Sequence, residues 1–192
     1  MEVVCACPLI ESEYKVMIAY AQKLFGSQYS SIFQSVEIRC DAGLHGGAET
    51  NIINGDLVIH LPNDYNSGDV HHIALLAHEV IHTLRPELNF SDRNTFLEEG
   101  VAVWFQYDYI FLRHNISLNI TEFQSGNYLL AYALVRQIRD CNPYFLKILL
   151  EGNKKRISDL DCNDLRSQCQ RVDIEVLKML VRPFPYPIAF PR

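Results

Sequence analysis

Two histidines four residues apart, with a glutamate directly after the first, stand in the middle of an apolar helical pattern: His78-Glu79-Val80-Ile81-His82. The pattern runs from Val70 to about Leu84, with Asp69 placed as its N-cap and Arg85-Pro86 as its stop. Residues at i and i+4 of a helix share a face one turn apart, so both imidazoles can reach one ion at the roughly 2.0–2.1 Å of a zinc–nitrogen bond. The glutamate then lies beside the open coordination position, where a carboxylate can take a proton from a metal-bound water. The motif constrains the whole chain, because catalytic zinc takes three protein ligands and keeps its fourth position for water. Some other element has to be folded against this helix to supply the third.

The sequence offers a carboxylate for that role seventeen residues after His82, in Phe96-Leu97-Glu98-Glu99-Gly100-Val101-Ala102-Val103-Trp104. Acidic side chains inside an apolar helix are costly unless paired or bound to a metal. Gly100 and Ala102 are small enough to let this helix approach the histidine helix closely. Two histidines and a glutamate make up the ligand set of a zinc hydrolase.

Around these two helices the periodicity predicts an α+β chain. A first amphipathic helix covers Glu11 to Phe25, stopped by Gly26. Short β-branched runs follow at Val36–Cys40, Thr50–Ile53 and Leu57–Leu61, and Asn54-Gly55 between the last two predicts an antiparallel hairpin. Ser91 or Asp92 opens the helix that carries Glu98 and Glu99, running to about Leu112. Another opens at Thr121 and Glu122 and ends at Asp140, a short one covers Pro143 to Leu150, and Ile157 to Val181 holds one or two more. From Pro183 to Arg192 four prolines forbid a helix and favour an extended tail, leaving residues 1–182 as one domain.

Both zinc motifs resemble those of the gluzincin metallopeptidases, in which a His-Glu-x-x-His helix is followed by a helix bearing the third ligand in an Asn-Glu-Gly-x-Ala-like motif. That motif reads here Glu98-Glu99-Gly100-Val101-Ala102. The resemblance implies Zn2+ as cofactor, His78, His82 and Glu99 as ligands, and Glu79 as general base, with Glu98 as the runner-up ligand. Val103 stands where many of these enzymes carry an Asp that braces the first histidine, so that support has to come from elsewhere. The likeness extends over Ser125 to Ile138, where it implies that Tyr128 donates its hydroxyl to the developing oxyanion, with Tyr132 as the alternative. Leu57–Leu61 takes the place of the edge strand that binds extended substrate, which implies main-chain contacts from Val58, Ile59 and His60. Gly46 to Thr50 partly matches a motif that grips a substrate's amino terminus through a glutamate, here Glu49. The implied fold is zincin-like: a small, mostly antiparallel sheet packed on the histidine helix, followed by a largely helical C-terminal half.

The expected function is a zinc-dependent metallopeptidase acting on a peptide or protein, and the tail has the right shape to occupy the cleft as an internal inhibitor. A zinc-binding module that cleaves nothing, a metal-free structural domain, and a zinc hydrolase with another substrate are the rival classes. A net charge of -6 argues against a nucleic-acid partner, the only basic run being Lys154-Lys155-Arg156. Apolar runs are too short to span a membrane. Lacking a basic region ahead of its apolar start, the chain reads as cytoplasmic, with its six cysteines as reduced thiols and Asn89, Asn115 and Asn119 as chance glycosylation sequons. Cys5 and Cys7 have no second close Cys or His pair with which to build a structural zinc site, and His71 and His72 read as surface or packing residues.

Overall fold

The computed structural model describes residues 2–5, 7–26, 35–41, 44, 47–84, 94–119, 126–153 and 155–185. Strand β1 (Glu2–Cys5) leads through helix α1 (Pro8–Phe25) to β2 (Ser35–Asp41), which lies parallel to it. The hairpin β3 (Glu49–Ile53) and β4 (Asp56–Pro62) follows, then α2 (Val70–Leu84) and α3 (Phe96–His114). Helices α4 (Gly126–Cys141), α5 (Phe145–Asn153), α6 (Cys162–Gln168) and α7 (Ile174–Leu180) complete the order among the described residues, with a 3-10 turn at Ile157–Asp159.

The sheet is mixed, in the order β1-β2-β4-β3. The expected hairpin is present, with Asn54 at φ 55° and Gly55 at φ 89°, the two positive values that a type I′ turn requires. The remaining pairings, β1 with β2 and β2 with β4, are parallel, which corrects the expectation of a mostly antiparallel sheet. Two placements cause this: β1 is a four-residue strand whose partner lies beyond an 18-residue helix and leaves no local periodicity to read, and β2 pairs with the second strand of the hairpin, which puts β3 on the far side. β4 is consequently an interior strand. Val58, Ile59 and His60 are paired on one side with Glu37, Ile38 and Arg39 and on the other with Asn51, Thr50 and Glu49. Their backbones are engaged by both neighbours, so the expected substrate contacts from these three residues are withdrawn, and β3 is the edge beside them.

Val36, Ile38, Leu57, Ile59 and Leu61 alternate along β2 and β4 and join the helices in one core. α2 is buried on nearly every side, from Ile73 to Leu84, as a helix apolar all round must be. α1 covers it through Ile10, Tyr14, Met17, Ile18, Ala21 and Phe25. The Thr83 hydroxyl donates to the Val80 carbonyl, so the Tyr14 phenol donates to Thr83, at 3.0 Å, and ties α1 to the last turn of α2. α3 packs on α2 along one side and on α4 along another.

Gly100 serves the second of these interfaces and not, as the sequence suggested, the first. A Cβ there would lie 2.5 Å from the Ala131 carbonyl oxygen and 2.5 Å from Val135 Cγ2, both on α4. Two further expectations change. Cys141 and Cys169 form a disulfide that joins the end of α4 to the residue capping α6, so the reading of six reduced thiols is wrong, and the cytoplasmic placement loses that support. Closing a loop of 28 residues stabilises a fold by about 3–4 kcal/mol on chain-entropy arguments. Phe184, assigned to the tail, is fully buried in the core, so the body of the domain extends past residue 182. Among the described residues no helix is long and apolar enough to cross a membrane.

Gly100→Ala tests the α3–α4 contact. In an open helix the change would stabilise by about 1 kcal/mol, but here the added methyl meets backbone that cannot rotate aside, a clash that costs about 1–3 kcal/mol or more. The expected result is a melting temperature lowered by roughly 3–10 °C; an unchanged or higher one contradicts the close approach.

Candidate metal centre

Thr95 sets the start of α3 by accepting a hydrogen bond from the Glu98 N–H, which puts Glu98 and Glu99 in the first helical turn. Opposite them, His82 sits in the last turn of α2. The positive end of the α3 dipole favours carboxylates and the negative end of α2 favours a cation, so both helix ends support the charges placed there. The Ser91 and Asp92 start lies outside the described residues. Thr95 is the residue that caps the helix, and Thr95-Phe-Leu-Glu98 has the spacing of a capping box that could have revealed it.

His78, His82 and Glu99 each turn one ligand atom into a common space, all within 4.8 Å of one another. His78 Nε2 lies 3.1 Å from Glu99 Oε2, and His82 Nε2 lies 3.6 Å from Glu99 Oε1. Both separations are near the roughly 3.3 Å between ligand atoms that stand about 2.0–2.1 Å from a shared ion, and the three residues together could hold a metal ion. The two histidine side chains are 11% exposed and Glu99 is 1% exposed. A carboxylate so deeply buried is costly without a cation.

Glu98 is not a member of this group. Its Oε1 accepts from His82 Nδ1 at 3.0 Å, the ring nitrogen turned away from the common space, leaving Nε2 toward Glu99. A carboxylate bonded to the far nitrogen of a ligating imidazole fixes its tautomer and orientation and raises its basicity. Burial works against charge on His82, but the Glu99 carboxylate, the hydrogen bond to Glu98 and the charges of Glu98 and Glu79 outweigh it and push its pKa up to about 10. The surroundings are built to attract positive charge. Asn94, which the sequence analysis missed, donates its side-chain amide to Glu99 Oε1 at 2.6 Å. Read as the interior of a helix opened at Ser91, it gave no signal; it is the residue before the true cap.

Glu79 lies on α2 beside His78 and is buried. Its Oε2 accepts from the Thr50 hydroxyl at 2.8 Å, which links the edge strand β3 to the motif helix. Neither composition nor spacing marks Thr50 out, since the contact spans 29 residues. Successive side chains of a strand point to opposite faces, so Glu49, bonded to Asn51, points away from the face on which Thr50 meets Glu79. That orientation does not place Glu49 at the group. Gly46 lies outside the described residues.

Tyr128, on α4, stands edge-on to the His78 ring at 5.8 Å between centroids. Burial, then the charges of Glu99 and Glu79, push its phenol well above the usual tyrosine range, so it keeps its proton throughout the neutral range. Tyr132, one turn later, has its ring 5.9 Å from that of Tyr107 on α3. His72 accepts from the Asn66 N–H and stacks on Tyr65, while His71 is exposed, and neither belongs to the ligand group. His60 pairs with Asp41 on the sheet face opposite Thr50.

Metal content and affinity of purified variants separate the roles of the two adjacent glutamates. Glu99→Ala should lose the bound metal, whereas Glu98→Ala should keep one site per chain with affinity lowered about 10–100-fold. Loss of stoichiometry in Glu98→Ala with full binding in Glu99→Ala would reverse the assignment.

Compared with protein-family models, with curated proteins and with solved structures, the chain finds no match in any of the three.

Proposed function

We propose that the chain is a zinc-dependent metallopeptidase. The observation that carries this reading is the convergence of His78, His82 and Glu99 with Glu79 standing free of the ligand set beside them. A site meant only to hold a metal has no need of a carboxylate at Glu79, and burying one has a cost. Zinc held by His78, His82 and Glu99 would supply Lewis acidity, lowering the pKa of a water from about 15.7 toward about 7.

The chain's own residues supply the remaining functions. Glu79 takes the proton of the attacking water and returns it to the leaving amine. Thr50, donating to one oxygen of Glu79, fixes the carboxylate's rotation and leaves the other oxygen to do this. Tyr128, held neutral, is a hydrogen-bond donor for the negative charge that develops on the carbonyl oxygen under attack. Strand β3 is an edge of the sheet that meets the motif helix at Thr50, so a peptide in extended form can add to it and present its backbone to Glu79. This proximity favours a peptide over other hydrolysable substrates.

The competing reading, a zinc-binding module that regulates or binds without cleaving, is separated by Glu79→Gln, which keeps the shape and removes the base. The expected outcome is unchanged zinc content by elemental analysis with hydrolysis of a fluorogenic peptide library reduced about 10²–10⁴-fold. A Glu79→Gln protein that cleaves as well as the wild type overturns the mechanism. A wild type that holds zinc and cleaves nothing in the library favours the binding module.

A further inference from the structure

The segment that follows α7 is part of the wall behind the ligand group. Pro183 forms a β-bridge with Thr95, flanked by two backbone hydrogen bonds: the Phe96 N–H donates to the Arg182 carbonyl at 3.1 Å, and the Phe184 N–H donates to the Asn94 carbonyl at 2.6 Å. Pro183 and Pro185 have no N–H and fixed φ, so Phe184 carries the one backbone donor from Pro183 to Pro185 and the register cannot slip by a residue. The Phe184 ring is fully buried, 5.1 Å from Phe96 and 4.8 Å from Tyr128 between centroids. Asn127 closes the far end by donating its amide to the Pro185 carbonyl at 3.1 Å.

Two of the residues that Phe184 engages go on to touch the ligand group. Asn94, held by its carbonyl, donates its side chain to Glu99; Tyr128, held by its ring, lies against His78. We propose that Arg182–Pro185 is a strap that positions the metal ligands, with Phe184 as a positioning residue acting through Asn94 and Tyr128. The inference rests on reading His78, His82 and Glu99 as a metal site and is independent of the reaction carried out there. Of the tail expected from sequence to occupy the cleft, residues 186–192 lie outside the described residues, while Pro183 and Phe184 pair with Thr95 and Asn94.

Cobalt(II) titration of the full-length protein, followed by visible absorption, tests the strap, because the spectrum reports ligand geometry as well as affinity. Phe184→Leu keeps an apolar side chain of similar size and removes the ring contacts. It should lower cobalt affinity at least about tenfold, the usual scale for loss of an outer support, and change the absorption bands. Phe145→Leu, an equally buried ring on α5, is the control for destabilisation alone; it should lower the melting temperature and leave affinity and spectrum as in the wild type. Wild-type binding and spectrum in Phe184→Leu, or an equal loss in Phe145→Leu, overturns the strap while the metal reading stands. Should Phe184→Leu fail to fold, Asn127→Ala decides from the surface: weakened cobalt binding supports the strap, and wild-type binding overturns it. A wild-type protein that takes up no cobalt and no zinc overturns the metal reading and the strap together.

Discussion

Everything in this molecule is arranged around two carboxylates, Glu98 and Glu99, buried in the first turn of α3 against two imidazoles of α2. Charges this deeply desolvated destabilise a fold unless each has a partner. Glu98 has His82 Nδ1, and Glu99 has Asn94 together with the Nε2 atoms of both histidines. The opposed helix ends reduce the cost further, since each dipole favours the charge next to it. What is left over is an excess of negative charge, with three buried glutamates facing two histidines, and this makes the space between them a place for a cation.

Holding α2 and α3 at that separation is the task of the surrounding packing. α1 backs α2 through the Tyr14–Thr83 bond, and α4 comes close to α3 because Gly100 leaves room for the Ala131 backbone. The same close contact carries Tyr128 to the edge of His78, so one glycine contributes to both stability and site geometry. Phe184 then closes the remaining side by filling the gap between Phe96 and Tyr128. The sheet has a smaller part. It supports α2 from below and brings a single hydroxyl, Thr50, to the carboxylate of Glu79.

The portion of this arrangement that could be read from the chain was the portion carried by local spacing. His78 and His82 share a face because 3.6 residues make a turn, and a Glu-Glu pair in an apolar stretch is conspicuous wherever it falls. The Asn54-Gly55 turn and the bounds of α2 follow from equally local chemistry. Long-range pairing left no such trace. β1 is four residues whose partner strand lies beyond a helix, and β2 runs parallel to β4 with β3 on the far side, so neither parallel pairing joins neighbouring strands of a local hairpin. Asn94, Thr50 and Phe184 act across separations that only the folded chain creates, and the Cys141–Cys169 bond depends on how α4 meets the end of α6. The order of two neighbouring glutamates was likewise a question of geometry: a helix turns by about 100° per residue, and it is that rotation which directs one carboxylate to Nδ1 and its neighbour to Nε2.

Zinc K-edge X-ray absorption on the purified protein carrying one equivalent of zinc is the most direct examination of this centre. The account predicts two imidazoles and a shell of nitrogen and oxygen at about 2.0–2.1 Å with no sulfur. A sulfur shell at about 2.3 Å, fewer than two imidazoles, or a protein that retains no zinc would contradict it.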